Sequence, residues 1–151
     1  MEFWAVVGAG NWRKSSTIRS LTGAYGMKPS WEVDVLGRKQ SVCVMTSAPQ
    51  ESSFHNPAQV IAQVTASKAT HLMIALRHLG TSKAMYDADA YISAFLAHRW
   101  TLKGILIVSP EPPHAPLSSK YGASVDYAPT LGWPPASSNA IANVVRSKWG
   151  L

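Results

Sequence analysis

Between residues 8 and 17 the chain reads Gly8-Ala9-Gly10-Asn11-Trp12-Arg13-Lys14-Ser15-Ser16-Thr17. Glycines, two adjacent cations and a run of hydroxyl residues make a combination suited to gripping an anion. Glycine lets the backbone adopt unusual dihedrals and come close to a phosphate. Successive N–H groups, backed by a helix N-terminus, present positive potential to it. The stretch follows an apolar run, Phe3-Trp4-Ala5-Val6-Val7, and precedes Ile18 and Leu21 at helical spacing, so it falls at a strand-to-helix junction. A plainer reading is also open, in which Gly8 and Gly10 only make a tight turn and Ser15 or Ser16 caps the helix.

The segment resembles the Walker A motif of P-loop nucleotide-binding proteins, G-x-x-x-x-G-K-[ST]. Gly8, Lys14 and Ser15 are in register with it, and Arg13 stands where the second glycine belongs. The resemblance implies an ATP or GTP site made by Gly8, Ala9, Gly10, Asn11, Trp12, Arg13, Lys14, Ser15 and Ser16. In that role Lys14 reaches the terminal phosphates and the Ser15 hydroxyl binds Mg2+. Three outcomes are open to Arg13: crowding the phosphates, turning outward, or contacting phosphate itself through its guanidinium.

Farther on, Thr46-Ser47-Ala48-Pro49-Gln50-Glu51 is similar to the D-T-A-G-Q-E switch segment of small GTPases. The resemblance makes Gln50 and Glu51 the candidate catalytic residues, with Gln50 where the attacking water is oriented. Thr46 replaces the magnesium-supporting aspartate, and Pro49, which has no N–H, replaces the glycine that contacts the γ-phosphate. No guanine-reading N-K-x-D follows the strand ending at Val108, where Ser109-Pro110-Glu111-Pro112 stands instead. No aspartate ends an apolar strand, which leaves Asp34, Glu51 and Glu111 as substitutes. Together these departures imply nucleotide binding with weak or absent hydrolysis.

These residues need a scaffold, and the pattern supplies one. Apolar runs at 3–7, 71–76 and 104–108 read as buried strands, and 31–35 with 41–46 reads as a β-hairpin. Helices are expected from Ser15 to about Tyr25, from Asn56-Pro57 through Val64, for some 16 residues after Ser82, and from about Asn139 to Lys148. Met85, Tyr91, Ile92 and Phe95 should line the third of these, and Ile141, Val144 and Val145 the last. Strands alternating with helices predict a three-layer α/β sandwich with a mostly parallel five-stranded sheet. The whole chain reads as one P-loop-like domain, with a proline-rich lid or arm over 109–138. In such sheets ligands sit beyond the carboxyl ends of the strands, so the loops after Val7, Thr46, Leu76 and Val108 should share one edge.

The 151 residues suit one domain, and a charged fraction of 15% beside 46% hydrophobic residues excludes a disordered or collagenous chain. No apolar run approaches the roughly 20 residues that span a bilayer, and no signal segment is visible, which points to a cytoplasmic protein without membrane association. Cys43, alone, excludes an internal disulfide and reads as a small core residue. The five histidines lack metal-ligand spacing. Trp12 either stacks on a base or folds back on the core, and Trp133 could anchor the proline-rich arm. A net charge of +6 suits a polyanionic partner. The expected partner is nucleotide phosphate. The alternative is a non-enzymatic interaction or assembly module on the same scaffold, binding protein or nucleic acid through Arg13, Lys14, Arg19, Arg38 and Lys39, with oligomerisation open. A phosphotransferase using the same loop is a third option.

Overall fold

The computed structural model describes residues 1–108, 115–128 and 137–151. In chain order the elements are β1 (Glu2–Gly8), α1 (Lys14–Thr22), β2 (Lys28–Val35), β3 (Arg38–Met45), a 3-10 turn (Pro49–Glu51), α2 (Pro57–Ala66), β4 (His71–Arg77), α3 (Ala88–Ala97), β5 (Thr101–Ile107), α4 (Ala115–Tyr121), a second 3-10 turn (Gly122–Ser124), β6 (Val125–Tyr127) and α5 (Ser138–Trp149). They build a six-stranded sheet in the order β2-β3-β4-β1-β5-β6. All neighbouring pairs are parallel except the hairpin β2–β3. The apolar runs become the inner strands because only there are both faces covered; Phe3 to Val7 and Leu72 to Leu76 are all fully buried.

Helices cover both faces. Phe3, Ala5, Val7, Leu72, Ile74 and Leu76 point to one side, where they meet Val60 and Val64 of α2, Tyr91 and Phe95 of α3, and Leu117 of α4. The alternate residues Trp4, Val6, Met73 and Ala75 point to the other, against Ile18 and Leu21 of α1 and Ile141, Val145 and Trp149 of α5. The α/β class and the helix-covered, mostly parallel sheet agree with the sequence reading.

Several details differ from it. The sheet has six strands rather than five, because β6 pairs with the end of β5, Ile105 against Val125 and Ile107 against Tyr127. That strand, with α4, falls inside the stretch expected as a proline-rich lid or arm; residues 115–128 belong to the sandwich, while 109–114 and 129–136, with Glu111 and Trp133, lie outside the described residues. Helix α3 starts at Ala88, capped by the Asp87 carboxylate accepting from Ala90 N at 2.8 Å, and not after Ser82. Met85 lies in the preceding loop, 95% exposed, and Val144 of α5 faces outward. Asn56 does cap α2, in a reciprocal box with Gln59.

Candidate functional site

Adjacent strands β1 and β4 send their chains to opposite faces, β1 into α1 and β4 into α3, which opens a crevice at their carboxyl ends. The loop after β1 fills one wall. Its first residue, Gly8, pairs in register with Arg77, the last residue of β4. A Cβ on Gly8 would lie 2.8 Å from Val108 Cγ2, so any larger residue there would have to displace the Val108 side chain.

Beyond Gly8 the backbone winds through two left-handed residues, Asn11 at φ 62° and Arg13 at φ 44°. Arg13 is the N-cap of α1 and makes no side-chain cap bond. The reading of Ser15 or Ser16 as the cap is therefore replaced: both lie inside the helix, and Ser15 Oγ donates to Thr46 O at 2.5 Å. Among the described residues, the backbone amides of 10–16 make no close backbone hydrogen bond, although Gly10 and Asn11 form a turn; the first amide that does is Thr17 N, to Arg13 O at 2.8 Å. The early amides of a helix have no partner within it, and here the loop amides before them also lack a close backbone partner among the described residues.

Into this turn reaches Lys14, only 6% exposed, its Nζ donating to Ala9 O at 2.6 Å. Burial pushes its ammonium below the ordinary lysine range; Glu51 opposes that and Arg77 adds to it. The loop borders an open hollow of about 210 Å³ lined by Asn11, Trp12, Arg13, Lys14, Ser15, Ser16 and Glu51. Arg13 is exposed, so its side chain borders the hollow without filling it. Trp12 lies between the two roles read for it, lining the hollow while packing partly against the α1–α5 side of the core.

Gln50 and Glu51 part company. Gln50 is fully buried, with Nε2 donating to Arg77 O at 3.0 Å and Oε1 accepting from Arg77 N at 3.3 Å. Its amide thus stands in for a neighbouring strand and holds the Pro49–Glu51 turn against β4, so it is not available to orient a water in the hollow. Glu51 does border the hollow and forms an ion pair with Arg77, Nη1 to Oε1 at 2.9 Å. Arg77 was missed in the sequence. The available signal was a cation closing an apolar strand, but only the strand order shows that this end lies beside Gly8.

Other sequence candidates are dispersed. Strand β3 runs from Arg38 and Lys39 at the amino edge of the sheet to Met45 at the carboxyl edge, roughly 20 Å away by strand rise. Arg38 and Lys39 therefore do not join Arg13 and Lys14 in one basic patch, and Asp34, opposite Lys39, stands far from the hollow as well. A second hollow of about 230 Å³, lined by Met27, Met45, Ser47, Pro49, Ser52 and Phe54, contains no titratable side chain. Cys43 is buried in the core, its thiol pushed up to about 11 by burial.

Among the described residues no group of three or more His, Cys, Asp or Glu is placed to hold a metal by itself. The Ser15 hydroxyl gives its proton to Thr46 O, which leaves its lone pairs for a cation, and Glu51 is the carboxylate nearest to hand. One hydroxyl and one carboxylate suit magnesium that arrives with phosphate and keeps its waters, not a cation caged by protein alone. Among the described residues no helix is long and apolar enough to cross a membrane. Comparison with protein-family models, with curated proteins and with solved structures finds no match to this chain.

Proposed function

We propose that the chain binds a nucleoside di- or triphosphate through the loop of residues 8–16, in the manner of a degenerate P-loop, with hydrolysis weak or absent. The observation that carries this reading is the set of amides at 10–16 that have no close backbone partner among the described residues, gathered around the buried Lys14 ammonium. Unpaired N–H groups in a concave turn at a helix N-terminus offer fixed partial charges to an anion. Arg13 fits it too, since its left-handed backbone is a conformation that glycine adopts without strain. The hollow is roomy enough for phosphate groups and lies at the crevice where open α/β sheets bind ligands.

Lys14 then exchanges the Ala9 carbonyl for phosphate oxygens, and Arg13 adds a second positive charge at the rim. Ser15 and Glu51 are the residues that would hold magnesium, which would supply neutralising charge to the phosphates. Fast hydrolysis is disfavoured because the Gln50 amide is committed to Arg77 and no carboxylate ends β1, β3, β4 or β5.

Calorimetric titration of the full chain with ATP and GTP tests this. Binding of at least one is expected, weakened about tenfold or more in Lys14→Ala, as befits a lost charge-assisted contact, and unchanged in Lys39→Ala at the far edge. No binding, or equal binding by Lys14→Ala, overturns the reading. The rival reading, a non-enzymatic assembly module, draws support from Leu79 and Met85, exposed at 58% and 95% in the loop beyond Arg77. It predicts a partner whose binding is indifferent to Lys14.

A further inference from the structure

Arg77 is anchored and free at once. Its backbone is clamped by both ends of the Gln50 amide, and the same turn is tied again to the β4–α3 loop by Thr81 Oγ1 donating to Gln50 O at 2.9 Å. Its guanidinium, by contrast, has one ionic partner among the described residues, the Glu51 carboxylate, and the two side chains are 32% and 39% exposed. A single half-exposed ion pair is a weak hold. The guanidinium also leans on the loop: a Cβ built on Gly10 would come 3.1 Å from Arg77 Nη1. It therefore sits beside the phosphate-facing loop, with Glu51 between it and the hollow that Glu51 lines.

Resting on the nucleotide reading above, we propose that Arg77 is a further phosphate-binding cation of this site, beside Lys14 and Arg13, held in reserve by Glu51 and transferred to the terminal phosphate of a bound polyphosphate. The physical reason is competition for one guanidinium. Glu51 offers a single charge, half in water, whereas a terminal phosphate offers up to two charges and a bidentate edge in a turn lined by amides without a close backbone partner. Only side chains need to move, because the Gln50 clamp keeps the Arg77 backbone in place. Once released, Glu51 faces the hollow without its counter-ion. The exchange makes the site favour ligands with a terminal phosphate long enough to reach β4, so triphosphates over diphosphates.

Titration with inorganic tripolyphosphate and pyrophosphate in magnesium-free buffer removes base recognition and metal from the question. The full chain should bind tripolyphosphate more tightly, and Arg77→Ala should lose about tenfold of that affinity while pyrophosphate changes little. Arg77→Lys, which keeps the charge but not the fork, should fall between. Glu51→Gln should tighten tripolyphosphate several-fold, and that gain should vanish in the Glu51→Gln/Arg77→Ala double variant, because Glu51 acts by holding Arg77. Wild-type binding that needs Lys14 but is unmoved by Arg77→Ala and Glu51→Gln overturns the exchange and leaves the loop reading standing. A Glu51→Gln gain that persists without Arg77 also overturns it, since Glu51 would then be a simple repulsive charge. No binding by wild type removes both proposals.

Discussion

Lys14 and Arg13 each carry a cost that the fold alone does not require. Lys14 holds an ammonium almost out of water with one acceptor, Ala9 O, among the described residues. Arg13 holds a side chain on left-handed backbone, a conformation that costs an L-residue roughly 1–2 kcal/mol. Strain and buried charge concentrate where a ligand is to be gripped. The first has a pH signature. Burial depresses the Lys14 pKa in the folded chain below its ordinary 10.5, so between those two values the unfolded chain binds the extra proton. Stability should therefore rise with pH across that window. Lys14→Met keeps the length and removes the charge; it should raise neutral-pH stability by about 1 kcal/mol, flatten the alkaline slope and lose phosphate binding. Thermal unfolding of the two proteins at a series of pH values checks this, and an unchanged slope would contradict it. At this scale the motif resemblance singles out Lys14 and Ser15, and both line the hollow. The sequence was not legible for Gln50, because a buried amide pairing with a strand end and an amide facing water have the same one-letter code.

Elements position these groups through a few junctions that differ in how openly they are written. The β1–α1 junction is plain in the chain: a solid apolar run, glycines, then helical spacing. The start of α3 is not. Ser82 looks like a cap, but Thr81 and Ala84 exchange backbone hydrogen bonds, and a Cβ on Gly80 would sit 2.7 Å from Ala84 O, so the chain turns tightly there before Asp87 can open the helix. Helix α4 and β6 are equally hidden, being short and set among prolines. What fastens α4 to α3 is a polar clasp. Asp89 accepts from Tyr121 Oη at 2.6 Å and from Lys120 Nζ at 2.9 Å, and Lys120 also reaches Ser93 Oγ. Burial alone would raise the Asp89 pKa, but the Tyr121 and Lys120 bonds outweigh it and hold the carboxyl below its usual value. The clasp is then complete above the ordinary aspartate pKa of about 3.9 and is lost as pH falls through the lower folded value. Asp89→Asn should speed amide hydrogen exchange in residues 115–121 while β1 and β4 stay protected. Unaltered exchange in α4 would show that the clasp holds nothing.

For the whole molecule, the strand order matters more than any single motif. Placing β4 between β1 and β3 brings Arg77 beside Gly8 and still lets Ser15 reach Thr46 O, so three strand ends converge on one turn. The same order sends Arg38 and Lys39 to the opposite edge, away from Arg13 and Lys14. A class of fold could be read from alternating strands and helices, but adjacency could not, because nothing local in β4 records which strands flank it. This convergence sets the loop amides at one turn, and those amides can be watched directly. Nuclear magnetic resonance of the 15N-labelled chain during titration with ATP is the most direct measurement. The amide signals of residues 10–16 should shift together, saturate at one equivalent and need about tenfold more ATP to shift in Lys14→Ala. Shifts spread over Arg38, Lys39 and other surface cations, with residues 10–16 unmoved, would contradict the site.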